Sequence, residues 1–139
     1  MEPGTAFASL DLEGEDRFQR LRAELGITTF GLNLLRLRPG QRGRIHRHLQ
    51  QEEAYLVLEG VLTLETEGEE PRELTRGDVA RVAPEVRRRL WNRGDEPVHV
   101  IAIGGANEHV GRDGRAWESW DEPGDGRPPQ EVPLPEDAR

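Results

Sequence analysis

The chain contains no cysteine and no lysine. Without cysteine there is no disulfide framework, no thiolate nucleophile and no cysteine-type zinc site. Without lysine there is no Schiff-base chemistry, and all 19 basic residues are arginine. No apolar run approaches the ~20 residues that span a bilayer. The N-terminal MEPGTAFASLDLEGED is acidic and has no basic region ahead of an apolar stretch, which argues against a secretory signal. Positive charge is also scarce: the net charge is −8 and the pI near 5.1, so nucleic acid is not an expected partner. No Ser-His-Asp order and no phosphate-cradling glycine loop is present. The glycine-rich GGANEHVGRDG at 104–114 lacks the strand–glycine–helix context of a dinucleotide site and reads as a loop. These absences leave a soluble, cytoplasmic protein with no membrane partner.

At 139 residues the chain is of single-domain size. Apolar residues make up 34% and charged residues 33%, so the core must be economical. Residues 1–26 form an N-terminal segment in which 11–26 are expected to be one short helix. There Phe18, Leu21 and Leu25 share a face, and Gly26 supplies the stop. From 27 to 104 the pattern changes to seven or eight short β-type runs. Turn signals at Pro39-Gly40, Glu67-Gly68, Gly77-Asp78 and Gly94-Asp95 separate them, which predicts an all-β sandwich or barrel. Residues 105–139 are rich in proline and poor in apolar side chains apart from Trp117 and Trp120. They read as an irregular C-terminal arm whose last dozen residues need not be ordered, with the tryptophans able to dock it on the barrel.

The stretch GRIHRHLQQEEAYLVLEG, 43–60, is the most informative. On a strand, His46 and His48 point to one face, roughly 7 Å apart at Cα. If 49–52 form a four-residue hairpin loop, His48 opposes Glu53 and His46 opposes Tyr55, with Cβ atoms about 5 Å apart. Two imidazoles and a carboxylate could then converge on one ion at roughly 2.0–2.2 Å. That register favours Glu53 over Glu52; a one-residue change in the turn would reverse the choice.

Gly40, His46, His48, Glu53 and Gly60 stand as G-x5-H-x-H-x4-E-x6-G, and this resembles the first motif of the cupin superfamily. GDVARVAPEVRRRLWN, 77–92, is similar to the second motif, with Gly77 and Asn92 in register. The resemblance covers roughly 27–104. It implies a double-stranded β-helix, or jelly-roll, barrel with a short N-terminal helix and an irregular arm, and a single-domain cupin that pairs as a homodimer, with Trp91 or the tail at the interface. It also implies one divalent transition metal (Fe, Mn, Zn or Ni) on His46, His48 and Glu53. The second motif departs from the family pattern: Ala83 and Glu85 replace its proline and glycine, and Arg88 stands where the fourth ligand, a histidine, would be. Arginine has no lone pair to give a cation.

Two readings follow. In one, three ligands hold the metal, as in facial two-histidine, one-carboxylate sites, and Arg88 orients a small, anionic molecule. In the other, Arg88 pairs with Glu53 and the barrel is a metal-free ligand-binding or sensor module; an inward Arg88 touching Glu53 would favour it. A third possibility is a barrel that serves mainly as scaffold for assembly. An enzyme of this kind would be metal-dependent, oxygenase- or isomerase-like, but the fold alone chooses no reaction. Arg44 shares the face of His46 and could join Arg88 in binding the anion, with Tyr55 as a further contact. His99 reads as a core or sheet-face residue, and His109 and Gln51 are weak substitutes for the missing ligand. Arg87 and Arg89 point away from Arg88.

Overall fold

The computed structural model describes residues 4–105 and 113–135. Its elements are β1 (Phe18–Gln19), α1 (Leu21–Leu25), β2 (Phe30–Leu37), β3 (Ile45–His48), β4 (Glu52–Glu59) and β5 (Leu62–Thr66). They continue with β6 (Arg72–Leu74), β7 (Val79–Val82), β8 (Arg88–Trp91), β9 (Val98–Gly105), β10 (Gly114–Trp117) and a 3-10 turn at Pro129–Glu131. The strands form two five-stranded antiparallel sheets, ordered β1-β2-β9-β4-β7 and β10-β3-β8-β5-β6. Facing each other, the sheets make the double-stranded β-helix expected from the sequence. No helix among the described residues is long and apolar enough to cross a membrane.

Period-two alternation builds the core. Val98 and Val100 of β9, Val57 of β4 and Leu35 and Leu37 of β2 face Leu62, Leu64, Leu74 and Leu90 of the other sheet. Each such side chain contributes about 1.5–3 kcal/mol on burial. His99 alternates outward with Ile103, donating from Nε2 to the Leu12 carbonyl at 2.8 Å, so it takes the sheet-face role expected of it.

The N-terminal helix is shorter than expected, covering only Leu21–Leu25 and closing at Gly26 in the left-handed region. Upstream, the backbone carbonyls are engaged by the barrel rather than by a helix. Arg36 donates to the Asp11 and Asp16 carbonyls, and His99 takes that of Leu12. Phe18 and Gln19 pair with Leu35 and Leu34 as a strand.

The hairpin expected around 49–52 does not form. β3 lies between β10 and β8 in one sheet and β4 between β9 and β7 in the other, so His48 and Glu53 are not cross-strand neighbours. Residues 49–51 cross from sheet to sheet. Asp113 pins that corner: its backbone carbonyl accepts Leu49 N–H at 2.9 Å, and its Oδ2 accepts Gln50 and Gln51 N–H at 2.8 Å each. The arm that supplies Asp113 also supplies β10, paired along β3 from Gly114↔His48 to Trp117↔Ile45. Trp117 is buried with the Arg87 guanidinium 3.9 Å above its ring, while Trp120 is half-buried. Further on, Val132 is buried and its carbonyl accepts Arg44 Nε–H at 2.8 Å.

Gly60, the last glycine of the first motif, sits at φ 82°, and a Cβ there would lie 2.3 Å from the Pro97 carbonyl oxygen. Both the left-handed backbone and that contact oppose a side chain. Gly60→Ala is therefore expected to lower stability by at least ~2 kcal/mol, read as a drop in the urea midpoint with an unchanged slope.

Candidate functional site

β3 and β4 bring His46, His48 and Glu53 together from opposite walls of the barrel. The two imidazoles lie edge to face, with ring centroids 5.3 Å apart. One ligating atom from each of the three residues lies within 4.8 Å of the others. His46 Nε2 is 3.6 Å from Glu53 Oε1, and His48 Nε2 is 3.2 Å from Glu53 Oε2. Glu52 points out instead, paired with Arg81 at the surface.

The orientation of the imidazoles tests whether a metal fits. His46 Nδ1 lies 3.2 Å from the Arg44 carbonyl, and His48 Nδ1 lies 2.8 Å from Asp113 Oδ1. Both rings therefore donate through Nδ1 and turn Nε2 towards Glu53. A carboxylate or carbonyl on the far nitrogen is the arrangement that orients histidine ligands to metals. His48 Nε2 is buried and makes no hydrogen bond. In the neutral ring its lone pair faces a carboxylate oxygen, and a cation bound between them resolves the clash. The three residues fit a divalent ion.

Asp113 was not legible as a site residue. It sits in a polar, glycine-bordered stretch, and no spacing rule connects it with His48 sixty-five positions earlier. Gln51, considered as a substitute ligand, is buried and donates from Nε2 to Asp113 Oδ1 at 2.8 Å, so it supports the corner. His109 lies outside the described residues.

Arg88 is fully buried and faces inward directly opposite His46 across β3 and β8. Its Nη2 donates to Glu53 Oε1 at 3.0 Å and its Nε to the Tyr55 hydroxyl at 3.3 Å. Its Nη1 is surrounded by the carbonyls of Ala83, Pro84 and Val86. Tyr55 in turn donates to Glu53 Oε1. Burial and the Glu53 charge push the phenol well above its usual range, so Tyr55 stays protonated. Burial alone would raise the Glu53 carboxyl, but the imidazoles of His46 and His48 outweigh it and hold it well below the usual range. Arg87 and Arg89 point outward, onto Trp117 and Glu65.

A cavity of about 240 Å³ opens beside this cluster. His46, His48, Glu53 and Tyr55 form its floor, and Leu35, Leu90 and Ala102 its inner wall. Its rim comes from both ends of the chain: Arg17 and Phe18 on one side, Pro129 and Leu134 of the arm on the other, with Gly43 and Arg44 between. Arg88 does not line it.

Residues 33–104, just over half of the chain, match the family described as Cupin domain. No curated protein gives a match. Among solved structures, a sugar phosphate isomerase from a cupin superfamily of Silicibacter pomeroyi DSS-3 superposes with a TM-score of 0.59 at 32% identity. The match covers 63% of this chain and 57% of that one, so the chain spans little more than half the length of that protein. A cupin protein from Bacteroides fragilis superposes with a TM-score of 0.67 at 24% identity, covering 78% of this chain and 90% of that one. A Cupin 2 conserved barrel domain protein from Salinispora arenicola gives 0.62 at 23%, over 71% and 87%. At these identities the last two speak for the fold alone.

The cluster also predicts how the metal-free protein responds to pH. Burial pulls the His48 imidazole down, but the Glu53 and Asp113 carboxylates outweigh it and raise it above its usual value. The stabilisation from protonated His48 is then complete below its unfolded value of about 6.5 and lost as pH rises through the higher folded value. Glu53 and Asp113 are depressed, so their contributions are present above about pH 4 and lost as pH falls through the folded values. Chelator-treated protein should therefore melt at falling temperature as pH increases above about 6.5. His48→Asn should flatten that alkaline slope and also weaken the acid side, because His48 helps to depress both Glu53 and Asp113, as read by thermal denaturation from about pH 3 to 9.

Proposed function

Because the chain belongs to the cupin-domain family, we propose that its barrel binds one divalent transition-metal ion, whether Fe, Mn, Zn or Ni, on His46, His48 and Glu53, and presents it to a small anionic molecule. The observation that carries this reading is the pair of imidazoles held by Nδ1 with both Nε2 atoms turned to Glu53, one of them buried without a hydrogen bond. Once bound, the ion would supply Lewis acidity at positions open to the cavity.

The residues around it have separate tasks. Arg88 and Tyr55 hold Glu53 Oε1, which His46 also faces, leaving Oε2 to His48. Asp113 fixes the His48 ring. Arg44, on the rim, is the contact for the anion. In this reading Arg88 serves the ligand indirectly, through Glu53, while Tyr55 holds Glu53 from the cavity floor. We read the protein as cytoplasmic, with the barrel domain at 27–104 flanked by segments 1–26 and 105–139. We also read it as a homodimer; Val79 and Ile103, exposed on the outer face of one sheet, would serve such an interface.

One observation favours a second reading. Arg88 already neutralises Glu53 at 3.0 Å, and a guanidinium so close repels a cation. In that case the barrel is a metal-free binding or sensor module. Metal content by inductively coupled plasma mass spectrometry separates the two, on untagged protein purified without chelator beside a His46→Ala, His48→Ala variant. About one equivalent, lost in the variant, is expected under the metal reading. Metal no higher than in the variant, even after reconstitution, overturns it.

Arg88→His gives a further check. Replacing the cation with a fourth ligand should tighten metal binding by roughly tenfold or more. It should also lower metal-free stability by about 3 kcal/mol, since it leaves a buried carboxylate without its partner. Competition titration with a chromogenic chelator reads the first effect and denaturant unfolding the second.

A further inference from the structure

Eight of the chain's 19 arginines are matched with carboxylates among the described residues. Arg36, Arg47, Arg81, Arg87, Arg88, Arg89, Arg93 and Arg127 each face an Asp or Glu within 4 Å. Arg44 does not. Among the described residues its one recorded bond is Nε–H to the Val132 carbonyl, which leaves both terminal nitrogens of the guanidinium available. It lines the cavity one strand step from His46, and burial without a countercharge pulls it below its usual value. In a protein of net charge −8, a half-buried cation without an acidic partner at the rim of a cavity is a receptor for an anion.

The rest of the lining restricts what that anion is attached to. Phe18, Leu35, Leu90, Ala102, Pro129 and Leu134 present only apolar surface. Arg17 is engaged, donating to the Arg42 carbonyl at 2.7 Å, and Tyr55 is committed to Glu53. Asn33 remains as a polar partner on the wall, and the other polar groups, His46, His48 and Glu53, are gathered at the floor. A polyol placed here would leave most of its hydroxyls without hydrogen bonds, a strong penalty in a desolvated site. A volume of about 240 Å³ accommodates on the order of ten non-hydrogen atoms at ordinary packing.

We propose that the cavity takes a small monocarboxylic acid with a compact apolar body, its carboxylate paired with the terminal guanidinium nitrogens of Arg44 and its body against Phe18, Leu90 and Leu134. This rests on the reading that the barrel presents its His46–His48–Glu53 cluster to a small anion, and it names the class of that anion. It sets this chain apart from the sugar phosphate named for the Silicibacter pomeroyi protein. The same Arg44 side chain, through Nε, seats the arm that carries Pro129 and Leu134, so one residue holds the anion and the apolar wall together.

Isothermal titration of the intact protein tests this with benzoate and isovalerate as probes, against benzamide, inorganic phosphate and ribose 5-phosphate. The acids should bind at one site per chain, and benzamide, the neutral isostere of benzoate, should bind at least about tenfold more weakly. Arg44→Gln should lose roughly tenfold in affinity for both acids, with partial recovery in Arg44→Lys, which keeps the charge. Tryptophan fluorescence, to which Trp117 and Trp120 of the arm contribute beside Trp91, shows whether the arm stays seated in each variant. Ribose 5-phosphate binding more tightly than either acid overturns the proposal, as does an Arg44→Gln protein with a seated arm that binds the acids like the wild type. Failure of both acids to bind folded wild type also overturns it. Repeating the titrations after chelation keeps the two readings apart. Acid binding in a chain that never holds metal removes the metal reading and keeps this one. A full equivalent of metal with no acid binding does the reverse.

Discussion

A carboxylate buried inside a barrel has to be neutralised where it stands, because the cost of desolvating it is several kcal/mol. Glu53 is that carboxylate, and the interior is arranged around it. Arg88 reaches it from the facing sheet and Tyr55 from its own strand, both on Oε1. Arg88 is itself held by Tyr55 and by carbonyls of the loop before β8, so its charge is dispersed over fixed dipoles rather than left mobile. Because all of this converges on one oxygen, Oε2 is left towards the His48 imidazole. A buried ion pair of this kind contributes little net stability, but removing either partner is expensive. It therefore locks the two sheets in one relative position and fixes where the cluster sits.

The second constraint is the corner that carries the chain from β3 to β4. Two successive N–H groups there would be unsatisfied without an acceptor, and Asp113 accepts both through Oδ2 while its Oδ1 takes His48 and Gln51. Burial works against this carboxyl's charge, and the N–H groups and His48 more than compensate, holding it below its usual range. A single carboxylate thus shapes the backbone turn and fixes an imidazole. It comes from the arm, immediately before β10, so docking of the arm and ordering of the site are one event.

What could be read from the sequence follows from how local each feature is. The strands of the barrel were legible because alternation is a nearest-neighbour property, and the His46–His48–Glu53 set because its spacing falls within one turn and two strands. The pairing of those strands was not legible. Consecutive strands usually neighbour each other, and nothing local says that the chain crosses between sheets at 49–51, so the three residues do lie together, but not through the hairpin expected to bring them there. The helix was over-extended for a similar cause: the acidic lead and the Phe18–Leu21–Leu25 spacing suit a helix, but Arg36 and His99, far along the chain, bind the carbonyls a helix would need. Asp113 and β10 were hidden in a segment whose composition resembles disorder. Their order depends on Trp117 packing under Arg87, a contact thirty residues apart in sequence.

The division between what relatives share and what this chain adds follows the same line. The candidate metal ligands, the clamp on Glu53 and the inner wall lie within 33–104, the part that matches the family. Most of the rim does not: Gly43 and Arg44 fall within it, but Arg17, Phe18, Pro129 and Leu134 lie outside it, as does Val132, whose carbonyl accepts from Arg44. The family match therefore carries the fold, while much of the border of the cavity comes from flanks that the family match does not reach. A barrel of this type can keep its interior and change its ligand by exchanging two short segments of chain. That is a physical reason for many activities to share one fold, and for a neighbour's substrate to be a poor guide to this one.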